Sequence, residues 1–247
     1  MKQRKPNFLP LGVIGGIIIT FLMAFLIYVG DFYESDQTSI NEFKTSKEVY
    51  VEQYNPNTTI YYTDDAKAAL IFYPGGKVEH TAYEPLMKAC AEKGIMCVLI
   101  EMPFNLAVFN INAADIHKEL RVAYPEISSW YIGGHSLGGS MAGAYLENNY
   151  NDFDGLVLLG SYITSDLSNT ELKVISIYGS EDNVLSKINY DSSLFNLPKD
   201  YTEKIIDGGC HSYFGMYGAQ EGDGIPTITN NEQIRMTADE IEKVLGN

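Results

Sequence analysis

Ser136 stands at the centre of Gly134-His135-Ser136-Leu137-Gly138, a G-x-S-x-G pattern. In that pattern a strand turns sharply into a helix, and the serine occupies the strained corner. The apolar run 130–132 precedes it and a helix-like run follows. Such a turn lifts the hydroxyl out of the sheet to a helix N-terminus. There the helix dipole and free N–H groups can stabilise a developing oxyanion. A tight crossover with no chemistry would use the same small residues, so the partners decide between the two readings.

A serine is a weak nucleophile until a base takes its proton. Four histidines are available: His80, His117, His135 and His211. His117 falls inside a helical stretch and reads as structural or solvated. His135 is part of the turn itself, with its side chain expected to point away from Ser136. His80 lies near a glycine turn and could line a pocket. His211 follows the last apolar strand, in Gly208-Gly209-Cys210-His211-Ser212. It alone fits the chain order serine, acid, histidine. The acid should follow a strand between the two. Tyr178-Gly179-Ser180-Glu181-Asp182-Asn183-Val184 supplies it, with Asp182 first choice and Glu181 second. Asp is also common in turns and caps for its local hydrogen bonds alone. Asp207 is too close to His211 in sequence to be preferred. In this arrangement the acid orients the imidazole and stabilises the imidazolium without taking the proton.

An oxyanion needs two donors. One is expected from the backbone N–H of Leu137, the residue after the nucleophile. The other is expected from Gly75-Gly76-Lys77, where Gly76 and Lys77 are both candidates. The same turn lacks P-loop spacing, so phosphate cradling is disfavoured.

The elements that must hold these groups follow from apolar periodicity. Residues 49–54 and 58–63 read as two early strands, joined around Asn55-Pro56-Asn57. Residues 68–73, 96–101, 130–132, 155–159, 174–178 and 201–206 read as further strands. Helices are expected over 82–92, 112–123, from after Ser136 to 148, and over 232–245. Strands alternating with helices imply a mostly parallel, doubly wound sheet covered on both faces. In such sheets ligands bind outside the carboxyl ends of the strands. The glycine turn, Ser136, Asp182 and His211 all follow strands.

Composition bounds the rest. The chain has 247 residues, 45% hydrophobic and 20% charged, enough to bury a sizeable core. A formal net charge of -15 argues against nucleic-acid binding, which needs a basic footprint. Three cysteines, Cys90, Cys97 and Cys210, are too few for a disulfide framework. A Cys90–Cys97 bridge is conceivable, but free thiols fit better. No spacing suggests a metal site.

At the N-terminus Lys2, Arg4 and Lys5 precede an uncharged run over 11–30, about the ~20 residues needed to cross a bilayer. The expected organisation is a cytoplasmic basic stub (1–10), a single-pass anchor (11–30), a polar linker (31–42) and a catalytic domain (43–247). The basic flank places the N-terminus in the cytoplasm and the domain outside. Cleavage as a signal peptide is the rival reading, but Tyr28-Val29-Gly30-Asp31 offers no small-x-small site.

Taken in order, these residues resemble the α/β-hydrolase superfamily, and most closely its small dienelactone-hydrolase-like, "fold-5" members. The resemblance is carried by Tyr73-Pro74-Gly75-Gly76, residues 134–139, Gly179-Ser180-Glu181-Asp182 and residues 209–218, with Gly222-Asp223-Gly224 after them. It spans roughly residue 68 to the C-terminus. It implies a serine hydrolase acting on esters or related acyl compounds through Ser136, Asp182 and His211, with no metal or organic cofactor. Dienelactone hydrolases carry a cysteine nucleophile, so Ser136 argues against dienelactone itself. Cys210 beside the base is a second departure. Many related enzymes carry a helical cap after the strand that ends near Gly160. Here residues 161–173 are too few for one. An open site bordered by Phe104, Phe109, Tyr162, Phe214 and Tyr217 is expected, although such aromatics are more often core. The implied substrates are small esters or accessible acyl groups on envelope molecules. An acyltransferase with the same triad and a membrane-anchored binding protein without activity are the alternatives. The oligomeric state is not legible.

Overall fold

The computed structural model describes residues 11–246. The basic stub, with Lys2, Arg4 and Lys5, lies outside the described residues. Two units make up the chain, one ending at Phe32 and one beginning at Tyr33.

The first unit is a single helix, α1 (Leu11–Gly30). It holds no charged residue, and the span Gly12–Gly30 has a mean hydropathy of 2.5. Most of its large apolar side chains, Phe21 and Ile27 among them, are exposed. At 1.5 Å per residue the helix is about 30 Å long. It is long and apolar enough to cross a membrane.

The second unit is built on an eight-stranded sheet in the order β1-β2-β4-β3-β5-β6-β7-β8. The strands are β1 (Tyr50–Asn55), β2 (Thr58–Tyr62), β3 (Ala68–Tyr73), β4 (Ile95–Ile100), β5 (Ser129–His135), β6 (Gly155–Leu159), β7 (Lys173–Gly179) and β8 (Thr202–Ile206). β2 runs antiparallel to both β1 and β4. All pairs from β4 through β8 are parallel. β3 and β4 read Ala-Ala-Leu-Ile-Phe-Tyr and Ile-Met-Cys-Val-Leu-Ile, and every residue in both is buried. Such unbroken apolar runs arise because helices cover both faces of a parallel sheet.

Side-chain alternation divides β3 between two cores. Leu70 and Phe72 join one core with Leu86, Met87, Ile234, Ala238 and Ile241. Those partners belong to α3 (Glu84–Ala91) and α7 (Asn230–Leu245). Ala69, Ile71 and Tyr73 face the other core, with Leu120, Ala142, Tyr145 and Leu146. Those come from α4 (His117–Ala123) and α5 (Leu137–Asn149). Each fully buried leucine or isoleucine contributes about 1.5–3 kcal/mol through removal from water. α7 starts with a capping box, Thr229 and Glu232 satisfying one another's backbone N–H groups. Residues 160–172 contain no helix, so no helical cap is inserted between β6 and β7.

Three departures from the sequence pattern have local causes. The helix expected over 112–123 is a 3₁₀ segment, Ile111–Ile116, that becomes α-helical only at His117. Tyr73 explains this: its hydroxyl donates to the Ile111 carbonyl at 2.7 Å and accepts the Ala114 N–H at 2.7 Å. A short helix, α6 (Lys187–Ser193), is too brief to show a periodicity. The third departure is the boundary of the domain. The folded unit begins at Tyr33, not near Phe43. The stretch expected as a free polar linker contains α2 (Gln37–Glu42), capped by Asp36, with Ile40 buried. Tyr33 exchanges backbone hydrogen bonds with the segment after the glycine turn. Its N–H donates to Lys77 and its carbonyl accepts from Glu79. Polar composition concealed a segment held by backbone pairing and one apolar residue.

Candidate active site

The turn between β5 and α5 has the geometry that the G-x-S-x-G pattern requires. Ser136 takes φ 51° and ψ -122°, a conformation costly for a residue with a side chain. The surroundings hold it there. Its N–H donates to Leu159 at 2.9 Å, and its carbonyl accepts from the Ser161 hydroxyl at 2.6 Å. Gly138 lets α5 approach the end of β3, since a Cβ there would collide with the Tyr73 and Pro74 carbonyl oxygens. Leu137 is the first residue of α5. Its N–H therefore has no acceptor within the helix.

Asp182 and His211 meet over the same end of the sheet. His211 Nδ1 lies 2.8 Å from Asp182 Oδ2, and both side chains are 1% exposed. The other carboxylate oxygen of Asp182 accepts N–H bonds from Val184 at 3.0 Å and Leu185 at 2.8 Å. These bonds fix the carboxylate plane, so the turn role of this residue and its orienting role coincide. With Nδ1 engaged, His211 Nε2 is the remaining ring nitrogen. It is buried and has no hydrogen-bond partner among the described residues. Ser136 and His211 line one open cavity of about 280 Å³, together with Leu137, Gly160, Tyr162 and Leu185.

The glycine turn lies beside Leu137. Lys77 N–H donates to Asn105 at 2.8 Å, and Gly75 N–H to the Tyr83 hydroxyl at 3.0 Å. Both are committed, which leaves Gly76 N–H as the donor of this turn without an acceptor among the described residues. Gly76 also packs directly on the Leu137 side chain.

Among the aromatics expected at the rim, only Tyr162 lines the cavity. Phe214 and Tyr217 belong to the core beneath, because the loop that carries His211 packs back against α3 and α7. Phe104 and Phe109 are half exposed and meet edge to face at 5.7 Å, outside the cavity lining. His80 opens a short 3₁₀ turn and does not line the cavity either. His117 is buried, bonded to the Ala114 carbonyl at 2.8 Å and packed on Phe153.

Cys210 is a buried thiol held in place by its backbone. Its N–H and carbonyl pair with the Gln233 side-chain amide at 2.9 and 2.8 Å. Burial pushes the thiol up to about 11, so it is protonated at neutral pH. All three cysteines are free and buried.

Two supporting residues were not legible in the sequence. Asp223 accepts the backbone N–H groups of His211 at 3.1 Å, Ser212 at 2.8 Å and Gly224 at 2.8 Å. Burial opposes its charge, but these donors outweigh burial and hold its carboxyl below the ordinary value. The neighbouring Gly222 and Gly224 were the available hint. His135, expected to point away from Ser136, is not among the residues that line the cavity, and its ring packs on His211 with centroids 4.4 Å apart.

Comparison with known proteins agrees with this architecture. The folded structure is similar to the crystal structure of TT1662 from Thermus thermophilus, with a TM-score of 0.61 at 12% identity. The match covers 81% of this chain and 100% of that one. At that identity it shows the fold alone. No curated protein matches the sequence. Residues 69–235 match the alpha/beta hydrolase family, a stretch that includes the glycine turn, Ser136, Asp182 and His211. The chain belongs to the alpha/beta hydrolase family.

Proposed function

We propose that this protein is a serine hydrolase that cleaves carboxylic esters through Ser136, Asp182 and His211. One observation carries the reading. The buried Asp182–His211 pair leaves one imidazole nitrogen without a partner, on a cavity that Ser136 also lines.

In the proposed reaction Ser136 Oγ attacks the ester carbonyl while His211 Nε2 takes its proton. The oxyanion is held by the N–H groups of Leu137 and Gly76, a pair in which each donor is worth about 2.7–4 kcal/mol. The imidazolium protonates the leaving alcohol, and the acyl group stays on Ser136. Water then enters, gives a proton to His211 and attacks the acyl-enzyme. The acid leaves as Ser136 regains its proton. Asp182 orients the His211 ring throughout and keeps the productive tautomer. The uncapped cavity favours small esters, or acyl groups displayed on larger envelope molecules.

The apolar helix α1 supports a membrane tether, with the catalytic unit on the outer face. Fractionation checks this. The full chain should sediment with membranes and require detergent for release; a shortened soluble product in the medium would mean cleavage instead.

A panel of p-nitrophenyl esters from acetate to palmitate tests the activity. The expected result is turnover by wild type and none above background by Ser136→Ala. Equal turnover by both would overturn the reading.

A further inference from the structure

We infer that Tyr83 and His135 form a positioning pair that ties the oxyanion turn to the catalytic base. The inference rests on the proposed function and adds two residues to its machinery.

Tyr83 is fully buried, and its hydroxyl has two partners. It accepts the Gly75 N–H at 3.0 Å and lies 2.8 Å from His135 Nδ1. A phenol has a single proton to give. Burial holds that proton on, well above the ordinary range. We assign that proton to the bond with His135 Nδ1, the unprotonated nitrogen of a neutral ring. Burial, and then the neighbouring His211, hold His135 well below the ordinary histidine value. The neutral tautomer carries its hydrogen on Nε2, a buried atom with no close hydrogen bond among the described residues and only the His211 backbone acting on the ring. The directed bond of the imidazole is therefore the one to Tyr83.

The consequences run to both sides of the reacting centre. On one side, Tyr83 fixes the Gly75 peptide, immediately before Gly76, whose N–H has no acceptor among the described residues. The fit is close: a Cβ on Gly75 would come within 2.7 Å of His135 Nδ1 and 2.8 Å of the Tyr83 oxygen. On the other side, the His135 ring backs the His211 ring, with Phe214 behind His135 at 5.5 Å. His135 belongs to the elbow, Gly75 to the oxyanion turn and His211 to the base loop. One buried pair thus keeps three separate chain segments in register. A neutral His135 also adds no charge beside the imidazolium that forms on His211.

Steady-state hydrolysis of p-nitrophenyl acetate tests this with Tyr83→Phe, His135→Phe, the double variant and His135→Asn. Tyr83→Phe and His135→Phe should each lower kcat about 10- to 100-fold with KM little changed, the scale of a small misplacement of reacting groups. Because both remove one shared link, the double variant should be no slower than the worse single one. His135→Asn restores an acceptor near the Nδ1 position and should recover part of the loss. Thermal unfolding run alongside separates positioning from stability. Should His135→Phe fail to fold, Tyr83→Phe removes one oxygen only and carries the test. Unchanged kcat in Tyr83→Phe, or losses that multiply in the double variant, would overturn the inference. Ser136→Ala keeps the two questions apart. If it is inactive while Tyr83→Phe is fully active, the positioning pair alone fails. If Ser136→Ala is as active as wild type, the proposed function fails and the pair with it.

Discussion

Asp223 accepts the backbone N–H of His211 at 3.1 Å, from a loop that follows the base loop in sequence. The same carboxylate takes the N–H of Ser212. A residue outside the proposed triad thereby holds His211 through its backbone, while Asp182 holds it through its ring.

Asp223→Asn should cost about 1–2 kcal/mol of stability at pH 7, a charged hydrogen-bond figure discounted for partial exposure. The pH dependence has a definite sign. The folded protein holds this carboxyl below its ordinary value of 3.8. Its contribution is therefore complete above that value and is lost as pH falls through the folded one. Chemical denaturation from pH 7 down to pH 3 should show wild type and variant converging at the acid end. A gap that stays constant into the acid range would contradict the assignment.

Asp182→Asn should fold with little change in melting temperature and lose activity by about 10³- to 10⁴-fold in kcat, because an amide favours the wrong imidazole tautomer. Kinetics on a p-nitrophenyl ester measure this directly. Retention of a tenth or more of the wild-type rate would show that Asp182 is only a turn residue. Glu181, the alternative acid, bonds instead to the Ser180 hydroxyl.

Cys210 should be chemically silent in the native state. With its thiol pushed up to about 11, the thiolate fraction at pH 7.5 is below about one in a thousand. Iodoacetamide should modify it only after unfolding, and Cys210→Ser should keep kcat within the wild-type order of magnitude. Rapid native alkylation coupled to inactivation would point to a working thiol.

A chain trimmed to begin at Phe43 should be less stable and less active than one beginning at Asp31. The shorter chain loses the Tyr33 pairing with Lys77 and Glu79 and the buried Ile40. Burial of Ile40 alone is worth about 1.5–3 kcal/mol. Thermal unfolding of the two chains decides the matter, and equal melting temperatures would mean that residues 33–42 contribute nothing.

The sequence made the sheet, the strand ends and the order of Ser136, Asp182 and His211 legible, because each rests on local pattern. Unbroken apolar runs read as covered parallel strands, and the glycine-flanked serine demanded a sharp turn. Contacts between distant segments were not legible. The glycines flanking Asp223 mark a turn, but they do not say that its carboxylate binds the N–H groups of His211 and Ser212. Phe214 and Tyr217 looked like rim aromatics because they follow the base, and only the folding back of that loop buries them. Likewise, only the fold brings the Asn105 carbonyl to the Lys77 N–H, the contact that favours Gly76 as the proposed oxyanion donor.

The central claim is that Ser136 is the nucleophile, and a fluorophosphonate probe tests it most directly. The native wild-type protein is labelled, digested and mapped by mass spectrometry. The account predicts one phosphonylated residue, Ser136, with labelling abolished in Ser136→Ala and strongly slowed in His211→Ala. An unlabelled wild type, or an adduct that persists in Ser136→Ala, would contradict it.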